Sequence, residues 1–197
     1  MSPAQPRLFD APVAEPEGFR YRPEVITPDE ESELASQVSA LPFKPFEFHG
    51  HLGLRQVVSF GWKYDYGDRR IRRIEDIPGF LLPLRSRAAD LAGLRPEELV
   101  QLLINQYAPG APIGWHRDKP QFGKVVGVSL LSPSPMRFRR RRGSGWERVT
   151  VRLEPRSAYL LDGPSRDEWE HSLPPAERLR FSITFRSLRP NESSVQA

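Results

Sequence analysis

The chain has 197 residues, 38% of them hydrophobic and 27% charged, with no cysteine and four histidines. That length suits one compact domain with a sizeable core and would be cramped for two. The missing cysteines exclude a disulfide scaffold, a thiolate zinc centre, an iron–sulfur cluster and a cysteine nucleophile, so any metal must sit on histidine and carboxylate. The net charge of +4 is uneven: residues 1–50 hold four basic and nine acidic residues, residues 101–150 nine and two. Arginine outnumbers lysine 25 to 4, an excess that suits recognition of phosphate or carboxylate and that a G- and C-rich coding sequence also produces.

In chain order, residues 1–17 contain four prolines and no periodicity and read as a flexible N-terminal tail. They lack the charged-then-apolar layout of a secretory signal, and no apolar run in the chain approaches a membrane span, so a cytoplasmic location is expected. One domain is expected over 18–189, followed by a flexible C-terminal tail over 190–197. Thr27-Pro28-Asp29-Glu30 has the makings of a helix start: threonine as N-cap, proline at the first helical position and Glu30 closing a capping box. Leu34, Val38 and Leu41 then form one apolar stripe. A second helix is expected from Pro78 to Leu94, where Phe80, Leu81, Leu84, Ala88, Leu91 and Leu94 recur at helical spacing, with Pro83 early enough to be tolerated.

After residue 98 the period changes to two. Strands are expected near 100–107, 112–116, 125–131, 136–142, 147–153, 157–161 and 179–187, with one or two more from 19–25 and 53–60. The fold class is therefore mostly β with flanking helices, an antiparallel jelly roll, or double-stranded β-helix, with the helices packed outside it.

Three features of this half bear on chemistry. In Trp115-His116-Arg117-Asp118 an imidazole and a carboxylate two residues apart project to the same side of an extended chain, so both can reach one ion. His171 is a candidate third ligand from a later strand, and two histidines with one carboxylate make a triad suited to iron(II) with open coordination positions. His49 and His51 sit in a Phe- and Gly-rich segment that reads as a surface loop. The segment Arg180-Phe181-Ser182-Ile183-Thr184-Phe185-Arg186 alternates without a break, placing Arg180, Ser182, Thr184 and Arg186 on one face. Two arginines facing a metal site need an anion there, although the strand alone also suits an edge position with its polar face in water. Asn105 and Tyr107 likewise share one face after an apolar run.

Taken together, Asn105-Gln106-Tyr107-Ala108-Pro109-Gly110, then His116-x-Asp118-Lys119, then His171, then Arg180-x-Ser182-x-Thr184-x-Arg186 resemble, in order and spacing, the AlkB-like 2-oxoglutarate- and iron(II)-dependent dioxygenases. The likeness spans about residues 18–189. It implies iron(II) held by His116, Asp118 and His171, with 2-oxoglutarate and dioxygen as cosubstrates. It also implies Arg180 on the distal carboxylate of 2-oxoglutarate, with Asn105, Tyr107, Ser182, Thr184 and Arg186 completing that pocket. Ser182 departs from the family's usual asparagine, which bears on cosubstrate affinity and not on reaction type. Arg55, Phe60, Tyr64 and Tyr66 resemble the family's nucleotide-recognition segment, and Trp115 and Arg166 are further implied substrate contacts. Phe60 and Tyr66 suit a core position equally well.

The implied activity is oxidative demethylation of N-alkylated bases in nucleic acid, as in repair of alkylation damage in DNA. Alternatives left open are the same oxygenase chemistry on a protein, a lipid or a modified RNA base, or a non-catalytic nucleic-acid-binding jelly roll. The run Arg137-Phe138-Arg139-Arg140-Arg141-Arg142 favours nucleic acid as partner, and a monomer is expected. Finally, Gln5-Pro6-Arg7-Leu8-Phe9 resembles the short Q-x-x-L-F pattern that binds the sliding clamp, which would tether the chain near DNA.

Overall fold

A computed structural model describes residues 15–48, 51–64 and 71–190. The segments holding Gln5, Leu8, Phe9, His49 and Tyr66 lie outside these residues. The elements in order are β1 (Phe19–Arg22), α1 (Pro28–Ser39), β2 (Lys44–Phe48), β3 (His51–Tyr64), β4 (Ile71–Arg73) and α2 (Leu82–Ala92). They continue with β5 (Leu99–Tyr107), β6 (Ile113–His116), β7 (Phe122–Leu130), β8 (Ser134–Arg142), β9 (Gly145–Leu153), β10 (Ala158–Leu161), α3 (Gly163–Asp167), β11 (Glu170–Leu173) and β12 (Arg180–Leu188).

Both expected helices form. At the start of α1 the Glu30 amide donates to Thr27 Oγ1 at 3.2 Å and the Thr27 amide to Glu30 Oε2 at 2.8 Å, the reciprocal pair of a capping box. The second helix is shorter than the span 78–94. Pro83 has no N–H to offer the Gly79 carbonyl, so residues 79–81 tighten into a 3-10 turn before α2 begins. At its other end Gly93 takes a left-handed φ of 64° and stops the helix.

Antiparallel pairing builds two sheets. The larger has the order β1-β10-β7-β12-β5-β3-β2 with β4 added on β3, and the smaller has the order β6-β11-β8-β9. β12 is the centre of the larger sheet, not its edge, paired along its length with β5 on one side and β7 on the other. Its alternation therefore separates two buried layers. Phe181, Ile183 and Phe185 join Leu102, Ile104, Val126 and Val128 on the outer face and pack against Val38 of α1 and Leu84, Ala88 and Leu91 of α2. On the inner face Tyr107, Val125 and Tyr159 meet Met136, Phe138, Val149 and Leu153 of the smaller sheet. The result is the expected jelly roll with helices on one side only. The unforeseen elements, β2, β4, α3 and β11, are short, and β11 exists because β6 and β8 pair with it on both sides.

One glycine is required by close approach. Gly127 of β7 lies opposite Tyr159 of β10, and a Cβ there would stand 2.3 Å from the Tyr159 ring. Gly127→Ala is expected to cost about 1–3 kcal/mol by overpacking, hence a melting temperature lower by about 2–10 °C. Thermal unfolding checks this, and adding Tyr159→Leu to Gly127→Ala should shrink the loss.

Candidate active site

Register brings the two distant histidines together. His116 and His171 are direct partners between β6 and β11, with ring centroids 4.3 Å apart on the inner side of the smaller sheet. Asp118, two residues beyond His116, has Oδ2 3.7 Å from His171 Nε2. His116 Nδ1 lies 2.9 Å from the Gly114 carbonyl, which can only accept, so Nδ1 carries the proton and the Nε2 lone pair is left for another partner. Burial first, then the neighbouring His116 and Arg186, pushes His171 down to about 3, and burial also lowers His116. Both rings are thus neutral at physiological pH, the form in which imidazole binds metal.

Asp118 is drawn to a cation. Burial alone would raise its pKa, but the Arg186 guanidinium, then His171 and His116, hold it below the ordinary carboxylate range. Arg186 Nε donates to Asp118 Oδ1 at 2.9 Å, Nη2 lies 2.7 Å from the same oxygen, and Nη1 donates to Gln101 Oε1 at 2.9 Å. With Oδ1 so engaged, the three side chains are gathered but not closed into a cage: among the described residues no group of three His, Asp or Glu already has metal-binding geometry. What this cluster offers an ion is two neutral imidazoles and one ionised carboxylate, the donor set of a two-histidine, one-carboxylate triad.

Across the barrel, on the inner face of the larger sheet, Arg180 is 1% exposed. Its Nη2 donates to Ser129 Oγ at 2.7 Å, while Nε and Nη1 are buried without a hydrogen-bond partner among the described residues. Its guanidinium carbon is 5.3 Å from the centre of the Tyr107 ring. Burial pushes the Tyr159 phenol up to about 12, against the pull of Arg180, and raises Tyr107 as well, so both stay protonated and able to donate. A buried guanidinium with two unmet nitrogen donors is costly unless an anion completes it. A carboxylate, a charged acceptor with several lone pairs, is an anion that can meet such donors.

The other anticipated residues divide. Asn105, Ser182 and Thr184 are buried on the inner face, Ser182 directly between Asn105 and Ser129. Arg55 donates from Nε to Asn105 Oδ1 at 3.1 Å and lies over the Phe46 ring, which places it at the site. Two assignments need correction. Phe60 is 5% exposed and belongs to the outer core beside the helices, because it falls on the opposite face of β3 from Arg55. Arg166 is also buried; its Nε and Nη2 donate to the carbonyls of Gly123, Lys119 and Phe122, so it fastens the loop after Asp118 and is not available to a substrate. Arg186 lies on the inner face as expected and contacts Asp118 and Gln101, a role in placing the carboxylate. Trp115 projects to the outer face of the smaller sheet, away from His116 beside it in sequence. Tyr64 ends β3, and its side chain is not among those described. Sequence reasoning missed Gln101, Ser129 and Tyr159. Gln101 and Ser129 were legible as polar residues in alternate register with Asn105 and Val125; Tyr159 was not distinguishable from core.

A family profile of the 2OG-Fe(II) oxygenase superfamily matches residues 18–186. Among curated proteins the chain is 28% identical over 210 residues to an Arabidopsis thaliana "alkylated DNA repair protein ALKBH8 homolog", covering 92% of this chain and 58% of that one. It is 29% identical over 166 residues to the Mus musculus "tRNA (carboxymethyluridine(34)-5-O)-methyltransferase ALKBH8", covering 81% of this chain and 24% of that one. The chain thus spans little over half of the first relative and a quarter of the second. Among solved structures, OsALKBH1 superposes with a TM-score of 0.64 at 18% identity over 86% of this chain and 98% of that one. A Pseudomonas putida prolyl-4-hydroxylase does so with a TM-score of 0.59 at 15% identity over 87% and 93%; both show the likeness of fold. From the profile match over most of its length, the chain belongs to the 2OG-Fe(II) oxygenase superfamily, dioxygenases that work with iron(II), 2-oxoglutarate and dioxygen.

Proposed function

We propose that this dioxygenase demethylates N-alkylated bases in a nucleic-acid strand, with His116, Asp118 and His171 as iron ligands and Arg180 as the anchor of 2-oxoglutarate. The observation that carries the site assignment is Arg180, whose unmet Nε and Nη1 belong to the inner face of the larger sheet, opposite the smaller sheet that holds His116 and His171. Iron(II), 2-oxoglutarate and dioxygen together supply the oxidant that removes hydrogen from a substrate carbon, as 2-oxoglutarate is converted to succinate and carbon dioxide.

The chain's own residues do the positioning. His116 presents Nε2 because the Gly114 carbonyl fixes its tautomer. Arg186, itself braced by Gln101, keeps Asp118 ionised and oriented. Arg180, bonded to Ser129, would hold the distal carboxylate of 2-oxoglutarate, and Tyr107 and Tyr159 beside it keep their phenolic protons for hydrogen bonding. Arg55 is tied to Asn105 on the inner face of the larger sheet. A base methylated on a ring nitrogen pairs badly, so extruding it from its strand costs less than extruding an intact base. Hydroxylation of the N-methyl carbon gives a product that separates into formaldehyde and the restored base.

The nucleic-acid substrate is supported by the names of the relatives, one a repair protein for alkylated DNA and the other a tRNA-modifying enzyme. The second name favours a second reading, oxidation of a modified base in tRNA. Incubating the full chain with iron(II), ascorbate, 2-oxoglutarate and oligonucleotides carrying 1-methyladenine or 3-methylcytosine, as DNA and as RNA, separates these. Mass spectrometry should show loss of the methyl group together with formation of succinate. Methylated oligonucleotides left intact, while a modified tRNA gains oxygen, would replace the first reading with the second.

A further inference from the structure

The alternation that buries Met136, Phe138, Val149 and Leu153 turns the intervening side chains of β8 and β9 outward. Arg137 and Arg141 of β8 and Arg148 of β9 are exposed there, with Arg139 half-buried among them. The Arg139 guanidinium lies between two tryptophans, 4.4 Å from the ring centre of Trp115 on the edge strand β6 and 4.3 Å from that of Trp146 on β9. Arg141 lies 4.7 Å from the Trp146 ring.

The two faces of this hairpin treat the same arginine run in opposite ways. On the inner side Arg140 stands directly opposite Glu147 and donates to it at 2.8 Å, and to Glu168 at 3.0 Å. On the outer side Arg139 stands directly opposite Arg148. Like charges directly opposite in a ladder destabilise a sheet. Arg139 has one relief, an Nε bond to Glu170 at 2.6 Å, but no carboxylate among the described residues pairs with Arg137 or Arg148. Arg137 to Arg141 extends about 13 Å along the strand. The fold thus holds exposed guanidinium groups in a row beside two aromatic rings, an arrangement that an anionic polymer with stackable bases complements.

We propose that this outer face of the smaller sheet binds the sugar–phosphate backbone of a nucleic-acid strand, Arg137 and Arg148 meeting phosphates and Trp146 offering a stacking surface. The proposal rests on the nucleic-acid reading of the active site and adds a second surface to it. It also divides the basic run: Arg137, Arg139 and Arg141 face the strand, and Arg140 does not.

The test is fluorescence anisotropy of the full chain with an unmodified labelled single-stranded 16-mer, as DNA and as RNA, over a series of salt concentrations. Arg137→Thr combined with Arg148→Thr should lower the log–log salt slope by about 1.4, since each lost contact to a single strand removes about 0.7. The melting temperature should hold or rise as like-charge repulsion is relieved, and succinate formation without nucleic acid should not change. Trp146→Ala should weaken binding roughly tenfold or more with little effect on the slope. An unchanged slope in the folded double variant, with a methylated oligonucleotide still repaired by the parent chain, overturns this surface and leaves the active-site reading standing. A parent chain that binds neither oligonucleotide and repairs none overturns both. Binding to polyglutamate as tight as to the oligonucleotide at equal salt overturns the phosphate assignment in favour of acidic protein.

Discussion

Arg180→Ala should raise the 2-oxoglutarate concentration needed for half-maximal succinate formation by two orders of magnitude or more. Arg180 is among the most deeply buried large side chains, and two of its nitrogen donors have no hydrogen-bond partner among the described residues. Truncating one member of a buried charged pair costs about 3–5 kcal/mol, and each 1.4 kcal/mol is tenfold in affinity. Arg180→Lys should recover only part of the loss, because a single ammonium cannot replace a planar fork. The comparison with Arg186→Ala sharpens the expectation. Arg186 holds Asp118 and Gln101, so its loss should raise the iron(II) requirement more than the 2-oxoglutarate requirement. Titrating each component in turn against succinate formation reads both. If Arg180→Ala left the 2-oxoglutarate requirement at the wild-type value while circular dichroism showed an intact fold, the anchor would be misassigned.

Replacement of His116 or Asp118 by alanine should abolish turnover and leave the fold intact. His116 ends the edge strand β6, and Asp118 lies just beyond it, outside the large hydrophobic clusters, so neither substitution opens a void in the core. Each removes one of three donors, and a site of this kind has no fourth protein ligand to take over. Asp118→Ala carries a further consequence: Arg186 loses its carboxylate partner in a buried position, so this variant should melt lower than His116→Ala. Iron binding followed by calorimetry, succinate formation and thermal unfolding together check the prediction. Wild-type succinate formation by either variant would show that iron is held elsewhere.

The helix start at Thr27-Pro28-Asp29-Glu30 was legible because a capping box is a local device, formed within four residues. The strands β5 to β10 and β12 were legible for a similar reason, since alternation records which side of a strand is buried. The triad and arginine motif could be read as a resemblance, residue by residue, because the family keeps their order and spacing along the chain. Phe60 marks the boundary of that kind of reading. An aromatic in an alternating strand is recorded as facing one side or the other, but which side holds the core depends on where the helices pack.

The composition of this sequence therefore excluded thiol chemistry, its alternation pointed to a β-rich fold, and its motifs nominated His116, Asp118, His171 and Arg180. Tertiary structure decided what the local pattern could not carry. It made β12 a central strand, so that its polar face lies between two sheets and not in water, and it left Arg180 with two unmet donors. It paired His116 with His171 across 55 residues of chain through the register of β6 and β11. It also assigned Arg166 to loop carbonyls, Arg186 to Asp118, and Arg139 to a place between two tryptophans. These last assignments are contacts between residues far apart in sequence, fixed by strand order and register. The charge of an arginine is written in the chain, but its partner is set by the fold.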